Sequence, residues 1–329
     1  MGKGMAANIS RANDMIVYDI SSQTITNFIK NIKTNSLIRN ISYSLSIKCL
    51  ANEVDIICLS LPHEKACEEV ICGSNGILSS TNWRHTDNTK QKIIVDHGTF
   101  SRTFALNISR KVEEITNGCV SYVDAPVSGG PQGAQDGTLT IMAGGTPDAI
   151  ETVNDILHSV GKKVIHFGPV GSGMAAKLVN QALVTCHAQA AAEALFMSEQ
   201  LGLTQSIDDV ERLADMLSSS WGQSKVFDLV VKDYMAALVI GKGDKLHDLP
   251  TQAPLRNLNK DMSCVFSDLR AVVPPDSADD AFPLFSETQK RLDTACSPGF
   301  KDNGMEQSIS NSPFVALMQP LRESIKKLD

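Results

Sequence analysis

No apolar run in the chain approaches the roughly 18 uninterrupted residues that a membrane-crossing helix needs. The most apolar stretch is broken by Asn180, Gln181, His187, Gln189 and Glu193. Positive charge is also short. Lys and Arg number 30 against 37 Asp and Glu, which leaves a net charge of −7 and a pI of about 5.5. That balance argues against a nucleic-acid or anionic-membrane surface. The 8 cysteines form no C-x-x-C pair, and no HExxH or other Cys/His cluster has zinc spacing. The expectation is no metal, and reduced thiols in an intracellular protein without a signal peptide. Ser128 lies in no G-x-S-x-G elbow, and none of the 7 histidines sits in a partner motif, so a nucleophilic triad is unsupported. There is no internal repeat. What remains is a chain of 329 residues, 42% hydrophobic, long enough for about two domains with ordinary cores.

The stretch that organises the chain is Gly168-Pro-Val-Gly171-Ser-Gly173-Met-Ala-Ala-Lys177-Leu-Val-Asn180. Gly168-x4-Gly173 is followed by Met174-Ala175 where a Walker loop has Lys-Ser/Thr, so that reading is rejected. The turn opens an apolar segment that ends near Gly202, which as a helix would be about 40 Å long. From Met174 to Ala192 it is apolar on every face, which predicts burial. Lys177 is the one formally charged residue in that span, with Asn180 and Gln181 on the same face. A buried ammonium must be paired, near water or titrated down, which makes Lys177 a candidate proton donor and acceptor. The alternative is a lysine that reaches back to solvent from the helix end.

In chain order, Met1–Ile9 reads as helix with no strand before it, and Met15–Asp19 as a short buried strand ending in an acid. A helix capped by Ser21 or Ser22 runs to about Lys33, and a weak strand lies around Leu37–Ile41. Asp55–Pro62 reads as a buried strand stopped by proline, His63–Cys72 as helix, and 73–91 as a polar surface excursion. A strand at Ile93–Asp96, a helix at Ser101–Thr116 and a strand at Val120–Asp124 follow. After the Asp124-Ala-Pro-Val-Ser128-Gly129-Gly130 loop come a strand at Thr138–Met142, a helix from Thr146 to about Ser159 and a strand at Val164–Phe167. Beyond the long helix the expectation is helical. Segments lie at Ile207–Ser218, Gln223–Ala237, one opened by Asn259, one at Phe282–Cys296 and a terminal one at Val315–Leu328. A loop is expected at 241–257 and a break at Pro274–Asp280. Strands alternating with helices mean βα units and a mostly parallel sheet. Ligands of such sheets sit beyond the carboxyl ends of the strands, where Asp19, Leu61-Pro62, Asp96–Thr99 and Asp124–Ser128 all fall. The Ser128-Gly129-Gly130 loop can offer N–H groups and a hydroxyl to a carboxylate; an ordinary Gly-Gly turn is the other reading.

These motifs together resemble the β-hydroxyacid dehydrogenase family. Asp124–Gly145 resembles its substrate-binding signature, Gly168–Asn180 its catalytic signature, and Asn259-Lys260-Asp261 its third block, in the family's order and separations. The resemblance implies a Rossmann-type doubly wound parallel α/β domain at 1–167, with its first strand missing. It is followed by an all-helical substrate and oligomerisation domain at 168–329, joined by the long helix. It implies Lys177 as general acid/base, Ser128, Gly129 and Gly130 on the substrate carboxylate, and Asn180 orienting the substrate. Gly2, Leu61, Pro62, Thr99 and Lys260 would line the cofactor, and Asp19 would bind the adenosine ribose. An acid at Asp19 repels a 2′-phosphate, so NAD is expected over NADP.

Three departures accompany the resemblance. The family opens with a strand and Gly-x-Gly-x-Met-Gly, whereas this sequence matches only from Met1-Gly2. Asp96-His-Gly-Thr99 stands where serines are usual, and Ala66 where asparagine is frequent. The related 6-phosphogluconate dehydrogenases carry histidine three residues after the lysine; Asn180 argues against that substrate. The expected activity is NAD-dependent oxidation of a short 3-hydroxy acid such as 3-hydroxyisobutyrate, in a homo-oligomer of the cytoplasm or mitochondrion. The alternative is a non-catalytic paralogue or scaffold on the same fold.

Overall fold

The computed structural model describes residues 1–32, 40–84, 91–240, 255–273 and 278–296. The chain divides into two compact units, Met1–Lys177 and Leu178–Asp329. The expected division at 167/168 fell at the start of the long helix; the observed one falls inside it.

The first unit runs α1 (Gly2–Ile9), β1 (Met15–Val17), α2 (Ser22–Ile32), β2 (Ile41–Tyr43), α3 (Ile47–Glu53), β3 (Ile56–Leu59) and α4 (Glu64–Cys72). A 3-10 turn at Ile77–Ser79 precedes α5 (Thr81–Arg84), β4 (Lys92–Asp96), α6 (Arg102–Thr116), β5 (Val120–Asp124) and β6 (Val127–Ser128). Then come α7 (Gly130–Asp136), β7 (Leu139–Gly144), α8 (Pro147–Val160), β8 (Gly161–Gly168) and the start of α9 (Ser172–Gln200). Local chemistry sets the boundaries. Ser101 and Thr146 cap α6 and α8 by accepting from Phe104 N and Ala149 N. Pro147 occupies the first turn of α8. Gly137 ends α7 at φ 68°, a left-handed residue that glycine adopts without strain.

β3, β4 and β5 pair in parallel, and β8 pairs in parallel with β7. The chain from Asp124 through Ser128 runs antiparallel along β7, with Asp124 opposite Gly144 and Ser128 opposite Thr140. The two faces of the sheet carry separate cores, as strand alternation requires. Ile57, Leu59, Ile94 and Tyr122 pack with α4 and α6, whereas Ile93, Val95, Val123 and Ile141 pack with α1 and α8. This is a doubly wound, parallel-dominated α/β arrangement. Asn8 ties α1 to α7 by donating Nδ2 to Ala134 O at 2.9 Å.

The described strands fall into two sheets. Among the described residues, β1 pairs only with β2, in a separate two-stranded sheet, and β3 pairs only with β4. This corrects two expectations of full burial. Met15, Ile16 and Val17 are all half-exposed, and Cys58 in β3 is exposed; among the described residues each strand has a neighbour on one side only. The weak strand lies at Ile41–Tyr43, the end of the expected Leu37–Ile41; residues 33–39 lie outside the described residues. Residues 73–84 are no surface excursion. Ile77, Leu78 and Trp83 are fully buried, and Trp83 Nε1 donates to Ala51 O at 2.7 Å. Two large apolar side chains and an indole outweigh the polar composition around them.

The second unit is helical: the rest of α9, then α10 (Ile207–Ser218), α11 (Lys225–Ile240), α12 (Leu255–Val272), α13 (Ala278–Ala281) and α14 (Pro283–Ala295). Its core gathers Leu195, Val210, Phe227, Val230, Leu258, Met262, Phe266 and Leu292. α12 begins before Asn259, which therefore does not open it. Helix α9 is not buried on every face: Val179 and Leu183, four residues apart, are 65% and 48% exposed. A helix that is apolar all round has no pattern from which to read its packed side. Gly202 follows it at φ 73°, as expected of a C′ glycine. The expected terminal helix at Val315–Leu328 and most of the 241–257 loop lie outside the described residues. Among the described residues no helix is long and apolar enough to cross a membrane.

Candidate active site

The carboxyl ends of β3, β4 and β5 are tied together by their own polar groups. His97 N donates to Leu59 O at 2.9 Å, and Ala125 N donates to Asp96 O at 2.7 Å. The Asp96 carboxyl is fully buried and accepts from Gly98 N at 2.9 Å, Tyr122 Oη at 2.8 Å and Cys67 Sγ at 3.1 Å. Burial pushes its pKa up against those three donors. It also pushes the Tyr122 hydroxyl and the Cys67 thiol up, so both stay protonated as donors.

Asp124 does a second job at the next strand end. Its carboxylate oxygens accept from Gly171 N and Met174 N, each at 2.7 Å, at the start of α9. A carboxylate there satisfies orphan N–H groups and meets the positive end of the helix dipole. The glycines of the turn make this approach possible. Gly168 and Gly171 have φ of 128° and 86°. A Cβ on Gly173 would lie 2.3 Å from Met142 O, and one on Gly144 would lie 2.5 Å from Asp124 Oδ1. The turn is glycine-rich because it packs on β7 and β5. Lys177, buried, sits on α9 just beyond this capped first turn.

Burial raises the Asp124 carboxyl from 3.8 to about 7, against the downward pull of its two N–H donors. The folded pKa lies above the unfolded one. The linked stability is therefore full below pH 3.8 and is lost as pH rises through about 7. Urea unfolding is expected to show this fall, with a contribution of at most about 1.4 kcal/mol per pH unit. Asp124→Asn should flatten it; a variant curve parallel to the wild type would contradict the assignment.

The expected site residues fall into three groups. Ser128 is half-buried on β6, followed by Gly129 and Gly130, with φ of 133° and 68°, at the start of α7. With Thr99 and Lys177 they belong to the first unit. Leu61 and Pro62 follow β3, and Gly2 opens α1, where a Cβ would come within 3.2 Å of Ser60. The first turn of α1 has no side-chain cap. Asp19, exposed beyond β1, accepts from Ser21 N at 2.8 Å. In the second unit, Asn180 Nδ2 donates to Gln181 Oε1 at 3.1 Å, and Gln181 Nε2 to Asp261 Oδ2 at 2.6 Å. Lys260 pairs with Asp261 at 3.2 Å. Among the described residues no cluster of His, Cys, Asp or Glu could hold a metal ion.

Asp124 and Asp261 stood inside the quoted motifs, and Gln181 directly after one of them, without a role. For Asp124 the available signal was an acid at a strand end, followed in sequence by a glycine-rich helix start.

Residues 1–168, about half of the chain, match the model for the NAD binding domain of 6-phosphogluconate dehydrogenase, and residues 171–309 match that for the NAD-binding of NADP-dependent 3-hydroxyisobutyrate dehydrogenase. The chain belongs to the β-hydroxyacid dehydrogenase family. Among the family's members it is 40% identical over 162 residues to an uncharacterized oxidoreductase of Synechocystis, covering 49% of this chain and 52% of the relative. It is 34% identical over 181 residues to 2-(hydroxymethyl)glutarate dehydrogenase of Eubacterium barkeri, covering 55% of each. The matched stretch thus spans about half the length of these relatives. The solved 3-hydroxyisobutyrate dehydrogenase of Salmonella typhimurium shares the fold, with a TM-score of 0.73 at 19% identity over 97% of this chain and 95% of the other. A non-catalytic paralogue gains no support from these family members.

Proposed function

We propose that this β-hydroxyacid dehydrogenase family member oxidises a short 3-hydroxy acid, 3-hydroxyisobutyrate or a close analogue, to its semialdehyde or ketone with NAD. The observation that carries the reading is Lys177, buried on a helix whose start is fixed by the Asp124 carboxylate. Ser128 and the N–H groups of Gly129 and Gly130 hold the substrate carboxylate. Lys177 Nζ takes the hydroxyl proton during oxidation and returns it during reduction. Bound nicotinamide supplies the hydride acceptor. Asn180, on the same helix, orients the substrate, and Gly2, Leu61, Pro62, Thr99 and Lys260 line the cofactor. The substrates named for the Eubacterium and Salmonella proteins both carry a hydroxymethyl group beside a carboxylate, which favours this substrate class. Turnover of 3-hydroxyisobutyrate but not of its methyl ester is the expected result; equal use of the ester would remove the carboxylate clamp.

NAD is assigned on Asp19, whose carboxylate repels a 2′-phosphate and accepts from ribose hydroxyls. NADP is the second reading, favoured by the NADP-dependent family whose model matches residues 171–309. Asp19→Ala should shift the NAD/NADP ratio of kcat/KM toward NADP by about tenfold, the scale of one lost charged hydrogen bond. An unchanged ratio would show that Asp19 does not read the ribose. Assembly as a homo-oligomer, and residence in the cytoplasm or mitochondrion, complete the proposal.

A further inference from the structure

We infer that His97 is a positioning residue, whose ring fixes the substrate-carboxylate loop against the loops that line the cofactor; this rests on the function proposed above. His97 follows β4, between Asp96 and Gly98-Thr99. Its backbone N–H donates to Leu59 O, two residues before Leu61-Pro62. Its ring Nδ1 lies 2.8 Å from Ala125 O, three residues before Ser128. One residue therefore bridges the ends of β3, β4 and β5. At this position the resemblance usually has serine, where this sequence has histidine.

The partner decides the tautomer. A carbonyl oxygen only accepts, so Nδ1 carries the proton and Nε2 holds a lone pair. His97 is 6% exposed, and Nε2 is buried without a hydrogen-bond partner among the described residues. Burial also holds the imidazole pKa down, which keeps the ring neutral. A bare buried ring nitrogen is a cost that a purely space-filling residue need not carry. The Nδ1–H bond to the Ala125 carbonyl is what the histidine supplies and an apolar residue would not.

Two amides separate a specific tie from general packing. Asparagine places its N–H near the histidine Nδ1 position; glutamine places it near Nε2. His97→Asn should keep KM for 3-hydroxyisobutyrate within about threefold of wild type, whereas His97→Gln should raise it by about tenfold. NAD affinity should stay unchanged in both. Equal KM values for the two variants would overturn the inference. So would loss of folding or of NAD affinity in His97→Gln, since each marks a general structural role. Absence of any turnover by wild type would fail the functional reading alone. The tie is then read by nitrogen-15 NMR of the His97 ring, where a protonated Nδ1 and bare Nε2 are expected and a protonated Nε2 would overturn it.

Discussion

Replacing Lys177 by alanine is expected to lower kcat for hydroxy-acid oxidation by roughly 10²–10⁴-fold, the usual scale of a positioned general acid/base. The helix should survive, because alanine is the best helix former and the cap at Asp124 is untouched. NAD affinity should change little, since Lys177 is assigned to the reacting oxygen and not to the dinucleotide. Lys177→Arg is the sharper variant. It keeps the positive charge but cannot give up its proton, so turnover should stay low. Steady-state kinetics beside an NAD titration separates these effects. Arginine restoring turnover would reduce Lys177 to an electrostatic anchor, and alanine leaving kcat intact would remove it from the chemistry.

The second large effect is expected at Gly173. A methyl group there would sit 2.3 Å from Met142 O and 2.7 Å from Asp124 O, both backbone atoms of the sheet. Neither can rotate away, so the start of α9 must shift off β7. Overpacking of this kind typically costs about 1–3 kcal/mol. The same shift would break the bonds of Gly171 N and Met174 N to Asp124 and displace Lys177. Gly173→Ala should therefore lose both urea stability and turnover. A variant of wild-type stability would show that the close approach is not required.

Much of this architecture was legible in the sequence. The βα alternation, the long helix from the Gly168 turn to Gly202 and the helix start at Thr146-Pro147 all follow from period, proline and capping chemistry. Lys177 was conspicuous as the one formal charge in an apolar span. The illegible parts depend on long-range contacts. No local pattern says that Asp124 caps a helix 47 residues later, or that Trp83 reaches the Ala51 carbonyl. The exposed side of α9 was hidden because its apolar residues show no periodicity. The half-exposure of β1 and β3 depends on which strand lies beside each, which composition does not encode.

The most direct test is hydride transfer by the purified chain, followed as NADH absorbance with 3-hydroxyisobutyrate and related hydroxy acids, with Lys177→Ala as control. Saturable NADH formation that vanishes in the control is the expected result. A folded chain that binds NAD yet forms no NADH from any of these acids, or forms it equally well without Lys177, would contradict the proposed activity.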